Sequence, residues 1–221
     1  MKVGTDSLML GSWTNINHAK HILDIGTGSG LLAIMLAQKV DKSCQIVGID
    51  IDADAINQAK QNALNSPWSP QLQFNQACLQ EHVVSNKYDL IISNPPYFTE
   101  NISANKIQVK ANRQTARQTL TLDHQTLLHH VASLLAEQGA FYCVLPAQSA
   151  ELFCTFAQSL GLYCVHRLEV ATKPKAKSSR VLMAFSFKQT KQQTQKLTIY
   201  TCEEKYSADY VSLCKDYYLH F

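Results

Sequence analysis

Short apolar runs alternate with longer amphipathic ones along the chain, a pattern that predicts strands separated by helices. Residues 21–25 (HILDI) read as a short buried strand. Residues 31–39 have helical composition and 45–50 read as a second strand. Asp52 caps a helix reaching about residue 64, because its carboxylate can accept amide hydrogens of the first turn. A weaker strand over 72–75, a short helix near Leu79 and a fourth strand over 88–93 follow. The next stretch, 99–119, is polar and without periodicity. A loop that long between a strand and a helix is more often functional than merely connecting. Asp123 caps the helix HQTLLHHVASLLAEQ, whose leucines recur at helical spacing and which Gly139 is expected to end. Beyond it come a strand at AFYCVLP, a helix over 152–160 and a strand over 163–170. The basic loop TKPKAKSSR leads to a strand over 181–187, polar KQTKQQTQ to a strand over 197–200, and the last helix is expected over 207–219.

Strands alternating with helices imply an α/β fold, doubly wound around a mainly parallel sheet with right-handed crossovers. The strands flanking the basic loop have no helix between them, so they are expected as an antiparallel edge hairpin. The sheet is expected to have seven strands, with a C-terminal strand and helix as an appendage. One domain over 1–221 results, with its core in 1–187 and the appendage in 188–221.

Composition narrows the classes. Apolar residues make up 46% and charged residues 17%, as in a soluble globular protein. No apolar run approaches the ~20 residues that span a bilayer, and MKVGTDSLML lacks the features of a secretory signal, so a cytoplasmic protein is expected. The seven cysteines are odd in number and scattered, without a C-x-x-C pair, and the eight histidines show no ligand spacing. Neither a disulfide framework nor a metal site is expected. A net charge of +3 permits a nucleic-acid partner without demanding one.

Two motifs carry chemistry. After the first strand, LDIGTGSG alternates Gly26, Gly28 and Gly30, unlike the G-x-G-x-x-G of dinucleotide sites, and Asp24 precedes them. Glycines let the backbone approach a ligand, and a carboxylate there disfavours a pyrophosphate but suits a cationic or zwitterionic one. Asp50 ends the second strand, where a carboxylate commonly holds ribose hydroxyls. The second motif is LIISNPPYF, residues 90–98. Pro95 cannot continue a strand, and the stiff turn holds Asn94 and Tyr97 at a sheet's carboxyl edge. There the Asn94 side-chain oxygen and the Pro95 carbonyl are acceptors and Tyr97 offers a ring face.

These stretches resemble the class I S-adenosylmethionine-dependent methyltransferases with a Rossmann-like fold. More narrowly, MKVGTDSLMLGSW, LDIGTGSGLLAIMLAQ, NSPW, DLIISNPPYF and RQTARQTLTLDHQTLL resemble the bacterial family that methylates the 6-amino group of the adenine 3′ of the anticodon in a valine tRNA. The resemblance implies S-adenosylmethionine held by Asp24, Gly26, Thr27, Gly28, Gly30, Asp50, Ile51, Cys78, Leu79 and Asn94. Asn94, Pro95 and Tyr97 would carry the chemistry. An exocyclic amine is a poor nucleophile because its lone pair is delocalised. The Asn94 side-chain oxygen and the Pro95 carbonyl would accept its hydrogens and stabilise the charge that grows on nitrogen, while Tyr97 would stack on the ring. A glutamine amide offers the same two hydrogens, so the motif by itself leaves adenine and glutamine open. Tyr97 and Phe98 are expected to meet the base. The basic residues of two loops, Arg113 and Arg117 after the NPPY motif and Lys173, Lys175, Lys177 and Arg180 in the later one, are expected to meet tRNA phosphates. The protein is expected to act as a monomer. Two departures stand out. The family usually has further residues ahead of KVGTD, where this chain begins. Cys78 stands where an acidic residue often meets the cofactor adenine, so backbone groups and apolar packing are expected to hold that base.

Glutamine-directed enzymes generally carry a helical domain before the cofactor domain, and here the first strand starts near residue 21, which favours the nucleic-acid reading. Ribosomal RNA methylation, a nucleotide-dependent oxidoreductase and a non-catalytic RNA-binding module also stay open. His124 and His166 read as structural.

Overall fold

Buried on both faces from Ile22 to Ile25, the strand β1 (His21–Ile25) lies at the centre of the sheet, with β2 (Gln45–Asp50) and β4 (Tyr88–Ser93) parallel on either side. The structure, a computed structural model, describes residues 4–84, 86–96 and 123–218. Completing the sheet are β3 (Leu72–Gln76), β5 (Leu135–Pro146), β6 (Tyr163–Ala171), β7 (Arg180–Ser186) and β8 (Gln193–Thr198), in the order β3-β2-β1-β4-β5-β7-β6-β8. β7 is antiparallel to both β5 and β6, whereas β8 pairs with β6 in parallel.

Helices cover both faces. α1 (Thr5–Trp13), α2 (Leu31–Ala37), α3 (Ala53–Leu64) and α6 (Ala208–Cys214) pack on one apolar cluster with Ile22, Leu90 and Ile92. α4 (His124–Leu134) and α5 (Ala150–Ser159) cover the other, with Leu23, Ile91 and Phe141. Leu90, Ile91 and Ile92 alternate between the two clusters, as the period-two geometry of a strand requires. Asp52 caps α3 through Oδ1, which accepts from Asp54 N at 2.9 Å, and Asp123 caps α4 by accepting from Thr126 N at 2.7 Å.

Two expectations need correction, and one helix was not foreseen. The sheet has eight strands, because the C-terminal strand joins it instead of standing apart. It begins inside the polar stretch at Gln193, and residues 193–196 are all exposed, so an edge strand with solvent on its side chains showed no apolar alternation. The β6–β7 hairpin is therefore one strand in from the edge. Gly139 does not end a helix: α4 stops at Leu134 and β5 starts at once. Gly139 lies in an irregular stretch of β5 where pairing with β4 skips from Tyr88–Leu135 to Leu90–Ala140. A Cβ there would come within 3.0 Å of the Asp89 carbonyl oxygen. Finally, α1 was not expected at all. Its carboxyl end is held by Lys39, whose Nζ donates to the carbonyls of Gly11, Ser12 and Thr14 at 2.8, 2.8 and 2.9 Å. Burial pushes that ammonium down to about 8, with Asp216 pulling the other way, so it stays charged at neutral pH.

Gly48 of β2 shows how tightly the region under the glycine turn is packed. A Cβ would sit 2.6 Å from Phe74 Cδ1 and 2.7 Å from Thr27 Oγ1. Gly48→Ala should lower stability by about 1–3 kcal/mol, the usual cost of overpacking. A denaturant midpoint equal to the parent's would show that Phe74 can swing aside.

Candidate active site

The winding of the sheet reverses between β1 and β4, and open α/β sheets bind their ligands beyond the strand ends at such a point. Here β1 ends in a turn where Gly26, Gly28 and Gly30 take φ values of 68°, 56° and 79°, the left-handed region that side chains rarely enter. The amides of Gly26 and Thr27 both donate to the Ile49 carbonyl at 2.9 Å, which ties the turn to β2. Asp50, at the end of β2, accepts from Gly28 N at 2.9 Å and from Asp52 N at 3.0 Å. Its carboxylate retains lone pairs for further donors.

Asp24 lies beneath the turn with no exposed surface. Oδ2 accepts from Thr27 Oγ1 at 2.6 Å and Ala33 N at 3.3 Å, while Oδ1 is buried without a hydrogen-bond partner among the described residues. Burial pushes the carboxyl up to about 7, and the nearby Asp50 charge adds to this against the pull of the two hydrogen bonds.

A cavity of about 330 Å³ opens between this turn and the end of β4. Gly26, Gly28, Asp50, Ile51, Cys78, Leu79, Asn94 and Pro95 line it, so eight of the predicted site residues meet at one place. Asp24, Thr27 and Gly30 do not line it; they shape the turn from behind. Across the cavity, Ser93 Oγ donates to the Ile25 carbonyl at 2.9 Å, fixing the strand end from which Asn94 projects. The Asn94 Nδ2 donates to Ser7 Oγ of α1 at 2.8 Å. Cys78 donates its thiol hydrogen to Gln80 Oε1 at 2.6 Å, so the thiol and the carboxamide form one polar unit on the wall where an acidic residue was missing.

Sequence reasoning missed Ser7 and Gln80. Gln80 had a signal, since it lies two residues from Cys78. Ser7 had none, being 87 residues from its partner. Tyr97, Phe98, Arg113 and Arg117, predicted from the sequence as substrate contacts, lie outside the described residues. The remaining basic residues divide. Lys173 pairs with Glu204 at 2.6 Å and Arg180 Nε with Asp6 at 2.9 Å. Lys175 and Lys177 line a separate cleft with Lys196 and Glu169. Among the described residues no group of side chains is placed to hold a metal, and no helix is long and apolar enough to cross a membrane.

Residues 16–202 match the family described as a methyltransferase domain. The tRNA1(Val) (adenine(37)-N6)-methyltransferase of Pseudoalteromonas atlantica is 46% identical over 245 aligned positions, covering 100% of this chain and 93% of that protein. The protein of the same name from Klebsiella pneumoniae is 41% identical, covering 99% and 89%. The chain belongs to this methyltransferase family. A predicted O-methyltransferase from Agrobacterium tumefaciens superimposes with a TM-score of 0.69 at 13% identity, covering 96% of each chain, and this likeness shows the methyltransferase fold. The cavity at the switch point is thus a methyltransferase's candidate cofactor pocket, with the NPP turn on its rim.

Proposed function

We propose that this methyltransferase moves the methyl group of S-adenosylmethionine to the exocyclic 6-amino group of an adenine in the anticodon loop of a valine tRNA. The observation that carries the reading is the meeting of Asp50, the glycine turn and Asn94–Pro95 around one cavity. The pocket suits the cofactor. Asp50 can accept from ribose hydroxyls, Ile51 and Leu79 offer apolar walls for a base, and the buried Asp24 oxygen, without a hydrogen-bond partner among the described residues, favours a cationic ligand over the turn. When bound, S-adenosylmethionine supplies an electrophilic methyl on a sulfonium. Asn94 Oδ1 and the Pro95 carbonyl would accept the amine's two hydrogens and stabilise the positive charge that develops on nitrogen as its bond to the methyl carbon forms and the methyl–sulfur bond breaks. The thioether S-adenosylhomocysteine would leave, and one of the two hydrogens would be lost as a proton to solvent. Tyr97 is assigned the stacking face on the sequence motif alone. A base in an anticodon loop costs less to extract than one in a duplex. Labelled methyl transfer to total tRNA and, in parallel, to release factor, followed by nucleoside mass spectrometry, tests the substrate. Methyl in release factor with none in tRNA would overturn the assignment.

The same reading places RNA phosphates on the lysine cleft. β6 and β8 end at the same edge of the sheet as β4, three and four strands away, which is roughly 14–19 Å at ~4.8 Å per strand. Replacing Lys175, Lys177 and Lys196 by alanine should weaken tRNA binding and reduce the slope of log affinity against log salt by up to about 3, one per phosphate lost. Cofactor affinity should hold. An unchanged slope would remove this cleft from the RNA path.

A further inference from the structure

We propose that the Asp6–Arg180 ion pair is a latch that holds the first turn of α1 against Asn94, and that both residues position the amine-facing group instead of touching RNA. This rests on the reading of Asn94 given above. Arg180 opens β7 and pairs in register with Pro146 at the end of β5, while Ser93, at the end of β4, pairs with Cys143 of β5. Arg180 and Asn94 therefore share one edge of the sheet, two strands apart, which is about 10 Å measured across the strands, and α1 bridges them. Asp6 Oδ2 accepts from Arg180 Nε at 2.9 Å, and the next residue, Ser7, accepts from Asn94 Nδ2 at 2.8 Å. Consecutive helical residues point about 100° apart, so one turn of helix can engage two walls.

The pair is well placed to bear this role. Its side chains are 32% and 19% exposed, against 53% and 75% for Lys173 and Glu204, so water screens it less. Arg180 Nη1 also donates to the Ser179 carbonyl at 3.0 Å, which fixes the guanidinium. The bond from the Asn94 nitrogen to Ser7 sets the carboxamide plane and fixes which of its two ends is the oxygen. That order matters: a flipped carboxamide would aim a donor at an amine that is itself a donor.

The test measures single-turnover methyl transfer to tRNA, S-adenosylmethionine affinity by calorimetry, and the salt slope of tRNA binding. Arg180→Ala and Asp6→Ala should each slow the single turnover about tenfold or more, the scale of a small misplacement. Cofactor affinity and salt slope should stay parental, and the exchanged pair Asp6→Arg with Arg180→Asp should recover most of the rate. Ser7→Ala should slow transfer with the ion pair intact, while Ser7→Thr, which keeps a hydroxyl, should retain the rate. That serine pair decides the matter if the charge variants fail to fold. The latch is overturned if Arg180→Ala lowers the salt slope by about one and the exchange stays slow, since Arg180 is then a phosphate contact. It is also overturned if Ser7→Ala transfers at the parental rate. Parental transfer by Asn94→Ala would instead sink the underlying reading of Asn94, whatever the latch variants do.

Discussion

Asn94→Ala is expected to bind S-adenosylmethionine with nearly parental affinity and to transfer methyl at least about a hundredfold more slowly in a single turnover. The asymmetry follows from where the side chain stands. Cofactor-facing polar groups are concentrated on the other wall, at the glycine turn and Asp50, whereas Asn94 projects from the end of β4 on the rim. Its oxygen gains importance as charge develops on the attacked nitrogen, so it contributes mainly in the transition state. Asn94→Asp keeps an oxygen acceptor and should retain more activity than the alanine variant, although it forfeits the amide hydrogen given to Ser7. Rapid-quench kinetics with calorimetry on the same preparations separates the two effects. Equal losses in affinity and rate would place Asn94 in cofactor binding instead.

The second large effect is one of stability, and it is a gain. Asp24 is wholly buried, and its carboxyl is pushed up from 3.8 to about 7. Below about pH 4 the carboxyl is protonated in both folded and unfolded chains, and no penalty arises. As pH rises towards 7 the unfolded chain ionises first, so the folded state loses stability relative to it. At 1.36 kcal/mol per unit the loss above pH 7 is at most about 4 kcal/mol. Asp24→Asn removes the charge and keeps an oxygen for Thr27, so the ligand-free variant should melt several degrees above the parent at pH 8 and by a smaller margin at pH 5. S-adenosylmethionine should raise the parent's melting temperature at pH 8 more than the variant's, because a cationic ligand offsets the buried carboxylate. A variant less stable than the parent at both pH values would show that the charged form's bonds to Thr27 and Ala33 outweigh its burial.

How far the chain could be read from sequence depended on whether an element's environment was one-sided. β1 and β4 are buried on both faces and announced themselves as apolar runs, and the carboxylates of Asp52 and Asp123 marked helix starts. The glycine turn and the NPP turn were legible because each is built from residues adjacent in sequence, and both line the same cavity. α1 was not legible: Leu8, Met9, Leu10 and Gly11 are buried in succession, hemmed in by α2, β5 and α6, so no helical stripe appears. β8 was hidden by the reverse condition, an edge with its side chains in water. Contacts between distant residues, such as Asp6 with Arg180 and Cys78 with the rest of the pocket, leave no local pattern at all.

The grip of Lys39 on one end of α1 and of Arg180 on the other has a consequence for synthesis. Lys39 follows closely in the chain, but Arg180 comes 174 residues after Asp6, and α6, which packs on the same helix, comes later still. A ribosome adding ~5–20 residues per second would leave Leu8, Met9 and Leu10 without most of their cover for roughly 10–40 seconds. During that interval the nascent chain displays an apolar segment of the kind chaperones hold, and the corner where Asn94 meets Ser7 is completed only when β7 and α6 have emerged.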